Sequence, residues 1–397
     1  MLLTQAVEYY IIKVDQYDFS DVTCIREKEL KNMLDVGERL KSYEPLWESW
    51  YKDSHIGDGS FGKVYKLKQD FFGVTSYCVV KVISIDLQSE VFRSEDRMKV
   101  INERKRFVAE EIRNMYQLKG ARFLVHCLNH AIRDLYDDRH ELIGFDVLIR
   151  MELYNPLPSY LKKKGGLTPG ESERMAYQIA MALNSMHRLN MLHRDIKPDN
   201  IYLDNNCAFY LGDFGVSKQE QSSSYSTLAG SQPYIAPEVW NVTKSSKTYT
   251  QTADIYSYGL TLYYVLNGNR LPFVTSESNI NERTAAVFDR LEGKPFPPPE
   301  NGSEKLKSVV MKCCEYDPND RFRSMDEVLA ALRNEGFRYV PKRSPAIPAS
   351  TVVRPVCPEP PRMSPVRSTL PKTSEDSFRP RHQPHGSFRK NPDDFDA

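Results

Sequence analysis

His193-Arg194-Asp195-Ile196-Lys197-Pro198-Asp199-Asn200, followed by Asp213-Phe214-Gly215, decides how the rest of the chain is read. Asp195 can accept a proton from a hydroxyl group. Lys197 can neutralise a migrating phosphoryl group. Asn200 and Asp213 offer hard oxygen ligands of the kind Mg²⁺ takes. These residue types in this order point to phosphoryl transfer, and the gap between the two motifs fits one hairpin. The bland alternative, a capped loop with an exposed acidic turn, has no need of all four groups.

Upstream, Ile56-Gly57-Asp58-Gly59-Ser60-Phe61-Gly62-Lys63-Val64 has the GxGxxGxV form. Its glycines let backbone amides approach phosphate oxygens with no Cβ in the way. The loop joins two strand-like runs, whereas a dinucleotide-binding fingerprint would open a helix. Lys81 lies in Cys78-Val79-Val80-Lys81, where strand alternation puts Lys81 and Val79 on one face. A lysine there needs an anion to position it. Glu111 is the choice, because Ile112, Met115 and Leu118 mark the inward face of its helix; Glu110 is the alternative.

With these motifs in place, the span from about Trp50 to Val340 resembles the eukaryotic-type protein serine/threonine kinase family. The resemblance implies an α+β, bilobal, protein kinase-like fold. Its N-lobe (about 47–153) is small and β-rich with one long helix, and its C-lobe (about 154–340) is larger and mainly helical. It implies transfer of the γ-phosphate of Mg·ATP to serine and threonine hydroxyls of protein substrates, with autophosphorylation of the activation loop. The cofactors are then ATP and Mg²⁺.

By the same resemblance, Asp195, Lys197, Asn200, Lys81 and Glu111 are catalytic, and Asn200 and Asp213 hold the metal. Ile56, Gly57, Gly59, Gly62, Val64, Val79, Lys81 and Asp213 enclose the nucleotide. Leu148-Ile149-Arg150-Met151-Glu152-Leu153 looks like the hinge, with Met151 as gatekeeper and Glu152 and Leu153 offering backbone groups to adenine, give or take one residue. Tyr202 stands where the family often has an aliphatic residue under the base. Gly230 to Glu238 resembles the segment that receives the substrate, with Ser231 supplying a hydroxyl near Asp195. Glu238 should pair with Arg321, and Asp254 should brace the catalytic loop. The serine/threonine expectation rests on Lys197 and Ser231. Phrases such as Ile149–Leu153 and Leu266–Phe273 are similar to soluble kinases of this type in bacteria. Two other classes stay open: a kinase-shaped binding scaffold and a small-molecule kinase.

The remaining sequence sets bounds. A net charge of +1 over 397 residues gives no electrostatic argument for nucleic acid. No apolar run is long enough for a bilayer, and the first residues lack a basic leader. Seven scattered cysteines fit reduced thiols in a cytoplasmic setting. Residues 1–46 form an N-terminal extension whose stretch Arg26 to Ser42 suits an amphipathic helix, with Leu30, Met33, Leu34 and Leu40 on one side. The extension is expected as a surface element packed on the lobe. Strands are expected at Trp50–Ile56, Gly62–Leu67, Tyr77–Ile83, Cys127–Ile132 and Phe145–Glu152, and a long helix over Asp96–Leu118. Thr168-Pro169-Gly170-Glu171 reads as a capping box, and Asp254–Leu266 as a buried helix. Thr227 is the expected activating phosphosite, bridging Arg194 and Lys218. Residues 341–397 are rich in proline, serine and arginine and read as disordered. Their Pro355–Pro358 and Pro358–Pro361 stretches suit a proline-motif-binding partner with an aromatic groove.

Truncation after Val340 is expected to leave turnover on a generic protein substrate unchanged. A large fall in turnover would show that the tail docks on the catalytic part.

Overall fold

The computed structural model describes residues 35–59, 62–87, 97–137, 139–213, 233–240 and 249–340. Expectations for residues 1–34, Ser60, Phe61, Phe214 to Gln232 (Lys218, Thr227 and Ser231 among them) and the tail from 341 lie outside these residues. The chain divides into units Met1–Pro348 and Ala349–Ala397, and everything described belongs to the first.

The strand-like runs at the start become β1 (Tyr51–Gly59), β2 (Gly62–Phe71) and β3 (Val74–Asp86). They are longer than their sequence pattern indicated, because hairpin pairing carries the ladder past the apolar residues to Phe71 and Val74. After α2 (Arg97–Gln117) come β4 (Cys127–Tyr136) and β5 (Leu142–Met151). The sheet order is β1-β2-β3-β5-β4, antiparallel throughout.

Alternation on β3 and β5 sorts two apolar sets onto two faces. Ile83, Phe145, Val147 and Ile149 face the larger core, which they share with Ile101, Val108, Ile112 and Met115 of α2. Cys78, Val80, Val82 and Leu148 face the other way, and there Leu40 and Leu46 cover them. Both leucines are fully buried, which contributes about 1.5–3 kcal/mol each.

Residues 35–46 thus form a wall over that face of the sheet. The helix there is α1 (Val36–Ser42), capped by Asp35, whose carboxylate accepts from the Gly37 amide at 2.9 Å. Arg39 reaches through this wall to Asp146 on β5, at 3.0 and 3.1 Å, and to Ser84 on β3 at 2.7 Å. Tyr43 and Ser84 donate to the same carboxylate at 3.0 and 2.6 Å. Asp146 is fully buried, so the pair is not a surface ornament. Arg150 lies between Trp47 and Trp50, 5.3 and 5.2 Å from their ring centres.

After the hinge strand, β6 (Asn155–Pro156) and α3 (Leu157–Lys164) lead to α4 (Pro169–His187). Thr168 and Glu171 form the expected capping box at its start. Pro198–Asn200 makes one 3₁₀ turn, and β7 (Ile201–Leu203) pairs with β6 and β8 (Phe209–Leu211). The helical part continues with α5 (Pro237–Trp240), α6 (Gln251–Leu266), α7 (Ile280–Leu291), α8 (Glu304–Cys313) and α9 (Met325–Arg333). α6 is buried nearly all round, as its apolar sequence indicated. No helix of the described residues is long and apolar enough to cross a membrane.

Replacing Arg39 by Met leaves Asp146 buried without its cation and is expected to cost about 3–5 kcal/mol in urea unfolding. The double change Arg39→Met with Asp146→Leu should recover most of it. A loss of under about 1 kcal/mol for the single change would contradict a buried pair.

Candidate active site

Asp254, in the first turn of α6, is fully buried. Its Oδ2 accepts from the His193 amide at 2.8 Å and from His187 Nε2 at 2.9 Å. Its Oδ1 accepts from the Arg194 amide at 2.9 Å and the Tyr249 hydroxyl at 2.8 Å. Both backbone donors belong to the loop that carries Asp195, Lys197 and Asn200. Arg194 sits at φ 64°, a left-handed conformation that costs a non-glycine residue free energy. The buried carboxylate holds it there. Burial alone would raise the Asp254 pKa, but the hydrogen bond from His187 and the nearby His193 outweigh it, and the carboxyl lies below its ordinary range.

From that anchor the loop turns inward. The Asp195 amide donates to His193 Nδ1 at 3.3 Å, so His193 carries its proton on Nε2, which donates to the Gly212 carbonyl at 3.0 Å. The Gly212 amide in turn donates to the Asn200 carbonyl at 2.9 Å. These bonds hold Asp195, Asn200 and Asp213 beside one another. A Cβ at position 212 would come within 2.9 Å of the Tyr202 ring and of Val125, so glycine is required by the close approach.

The Asn200 amide nitrogen donates to the Asp195 backbone carbonyl at 2.6 Å and to its Oδ2 at 2.9 Å. Lys197 Nζ lies 3.1 Å from the same Oδ2. Two donors thus converge on one carboxylate oxygen. With both its N–H groups used, Asn200 has its amide oxygen as the atom a cation would take. Asp213, at φ 63°, is ion-paired with Lys81. The oxygen donors of Asn200 and Asp213 suit Mg²⁺, which takes one or two protein oxygens and completes its shell with phosphate and water.

In the β-sheet, β3 pairs Val79 with Met151 and Lys81 with Ile149, while β2 sets Val64 opposite Lys81. Lys81 and Val79 share a face, as alternation required. Glu111 is half-buried beside the inward Ile112 and Met115, whereas Glu110 is exposed, which favours the first choice. Glu152 and Leu153 lie past the end of β5, outside its ladder. Tyr154 donates to the Glu152 carboxylate and stacks on Tyr210 at 4.6 Å and 15°, which steadies this connection. Ile56 is exposed on β1, and Gly57, Gly59 and Gly62 flank the described ends of the loop. Tyr202 is half-buried, and burial together with the Asp213 charge pushes its phenol up.

A cavity lies beside Asp195, lined by Arg194 to Lys197, Tyr234 to Ala236, Tyr249 and Ser257. Below it, Arg321 grips Glu238 at 2.7 and 2.8 Å, the pair read from the sequence. Sequence reasoning missed His187 and Tyr249. A single histidine or tyrosine on an apolar element carries no mark of the carboxylate it will meet.

A model described as "Protein kinase domain" matches residues 50–331. The putative serine/threonine-protein kinase A of Trypanosoma brucei brucei is 32% identical over 277 residues, covering 67% of this chain and 56% of that protein. An Aurora kinase of Saccharomyces cerevisiae is 27% identical over 310 residues, covering 77% of this chain and 75% of that protein. The serine/threonine-protein kinase PknK of Mycobacterium bovis is 31% identical over 285 residues, covering 70% of this chain but 23% of that protein. The chain thus spans little more than half the length of the first of these relatives. The likeness extends across eukaryotes and bacteria, so it does not single out a bacterial source.

The folded-state pKa of Asp254 lies below the ordinary carboxyl value of 3.8, so it stabilises the fold above about pH 4 and loses that contribution as pH falls further. Asp254→Asn should lower stability at pH 7 by about 3–5 kcal/mol. It should also flatten the fall of the urea midpoint below pH 4. Parallel pH curves for the two proteins would contradict a stabilising carboxylate.

Proposed function

The chain belongs to the protein kinase domain family, and we propose that it moves the γ-phosphoryl group of ATP onto serine and threonine hydroxyls of protein substrates. The observation that carries this reading is the convergence of Lys197 and Asn200 on one oxygen of Asp195, next to a cavity. Such a carboxylate is oriented and its charge is partly offset. It suits a group that aligns an incoming hydroxyl and takes up its proton as the new P–O bond forms. Lys197, 3.1 Å away, also stands where it can offset charge on the transferring oxygens.

Lys81 exchanges its contact with Asp213 for the nucleotide's α- and β-phosphates, with Glu111 steadying it from α2. Ile56, Gly57, Gly59, Gly62 and Val64 cover the phosphates and base. Val79, Met151, Glu152, Leu153 and Tyr202 enclose the adenine. Asn200 and Asp213 would hold Mg²⁺, which when bound would screen the triphosphate charge. Everything else is placement by the chain: a fixed carboxylate, a fixed lysine and a substrate wall at Tyr234–Ala236. We assign the catalytic domain to residues 35–340. A cytoplasmic setting is supported by the unpaired thiols of Cys78, Cys127, Cys207, Cys313 and Cys314. Autophosphorylation in the stretch 219–228 and recruitment of a proline-motif-binding partner by the tail belong to the same proposal.

The test is transfer of labelled γ-phosphate to a mixed protein substrate. Lys81→Met, Asp195→Asn and Asp213→Asn should each reduce it by at least about 10³-fold with the fold retained. Near-full activity of Asp213→Asn would sink the mechanism. Mg·ATP should raise the thermal midpoint more than ATP with a chelator does, and an equal or larger shift with the chelator would contradict the metal assignment.

A further inference from the structure

Arg290, at the penultimate position of α7, is only 2% exposed. Its Nη2 donates to the backbone carbonyl of Pro233. Its Nε and Nη1 are buried with no hydrogen-bond partner, and no carboxylate among the described residues pairs with it. The groups its charge faces are the neutral Tyr234, Tyr256 and Cys314, and the Tyr256 hydroxyl lies near enough to interact with the guanidinium without completing a hydrogen bond to it. A guanidinium does not shed its proton in a protein, so a full cation sits among neutral groups.

Arg321 shows what a settled buried arginine looks like in this molecule. It is also 2% exposed. It makes two bonds to Glu238 and donates to the carbonyls of Thr252, Glu315 and Tyr316 at 3.0, 2.7 and 3.0 Å. The two arginines hold the two ends of one segment, Arg290 at Pro233 and Arg321 at Glu238. Between them lie Tyr234, Ile235 and Ala236, the wall of the cavity that faces Asp195. Ser257 secures the middle, donating to the Tyr234 carbonyl at 2.9 Å.

Only one end is held cheaply. An unpaired buried cation costs far more than one bond to a carbonyl returns, and an apolar side chain of similar length would fill the site without that penalty. Groups kept at a net cost to stability are characteristic of functional positions.

From this we infer that Arg290 is a positioning residue for the protein substrate. It fixes the Pro233 carbonyl, and with it the wall against which the hydroxyl-bearing segment lies beside Asp195. This inference rests on the kinase reading. It adds to that reading a residue on α7, away from the catalytic loop, the nucleotide site and the metal ligands.

The experiment compares full-length Arg290→Met and Arg290→Lys with the unaltered enzyme, using a peptide substrate that the unaltered enzyme phosphorylates. For Arg290→Met the KM for peptide should rise about tenfold while kcat and the KM for ATP stay within about twofold. Its thermal midpoint should rise, because the unpaired charge is gone. Arg290→Lys keeps a donor for the Pro233 carbonyl and should restore part of the peptide KM with no gain in midpoint. A fall in the midpoint of Arg290→Met with an unchanged peptide KM would make Arg290 a purely structural group and overturn the inference. So would equal rises in the KM for peptide and for ATP. Absence of phosphoryl transfer by the unaltered enzyme would overturn the kinase reading and this inference together; transfer with an unchanged peptide KM in Arg290→Met overturns this inference alone.

Discussion

One buried carboxylate organises the site. Asp254 has four donors, and two are the backbone amides of His193 and Arg194. Those bonds hold a left-handed arginine in place and so aim the next residue, Asp195. From Asp195 the order spreads through His193 to Gly212, and through Gly212 to Asn200. Asp195, Asn200 and Asp213 are therefore referenced to a helix buried nearly all round. A flexible loop could carry the same residues and would lose the alignment that transfer between two substrates demands.

The nucleotide side has a different support. Its sheet is buried on both faces, by α2 on one and by residues 35–50 on the other. Arg39 crosses the outer layer to Asp146 and Ser84, joining β3, which carries Lys81, to β5, which ends at the hinge. The family match begins at residue 50, and most of this outer layer precedes it. It ties β3 and β5 together through Arg39.

Most of the site was legible because its chemistry is local. Asp195, Lys197 and Asn200 lie within one turn-and-loop stretch, and Asp213 follows one hairpin later. Alternation sufficed to put Lys81 and Val79 on one face. Glu238 and Arg321 are far apart in sequence and were paired only through the family resemblance. What stayed hidden depends on contacts that no spacing encodes. Arg39 looked like one charged residue of an amphipathic helix, yet it is buried against Asp146. Arg290 is likewise buried, with its guanidinium on the Pro233 carbonyl, and nothing in its spacing marks that contact. The strand ends ran past their apolar runs because hairpin pairing, not hydrophobicity, sets where β2 and β3 stop.

The most direct test of the carboxylate's role is native-state hydrogen exchange resolved at single amides. The His193 and Arg194 amides should exchange as slowly as the interior of α6, and Asp254→Asn should speed both selectively while leaving the α6 amides protected. Fast exchange of these two amides in the unaltered protein, or no change on substitution, would contradict the claim that Asp254 holds the catalytic loop.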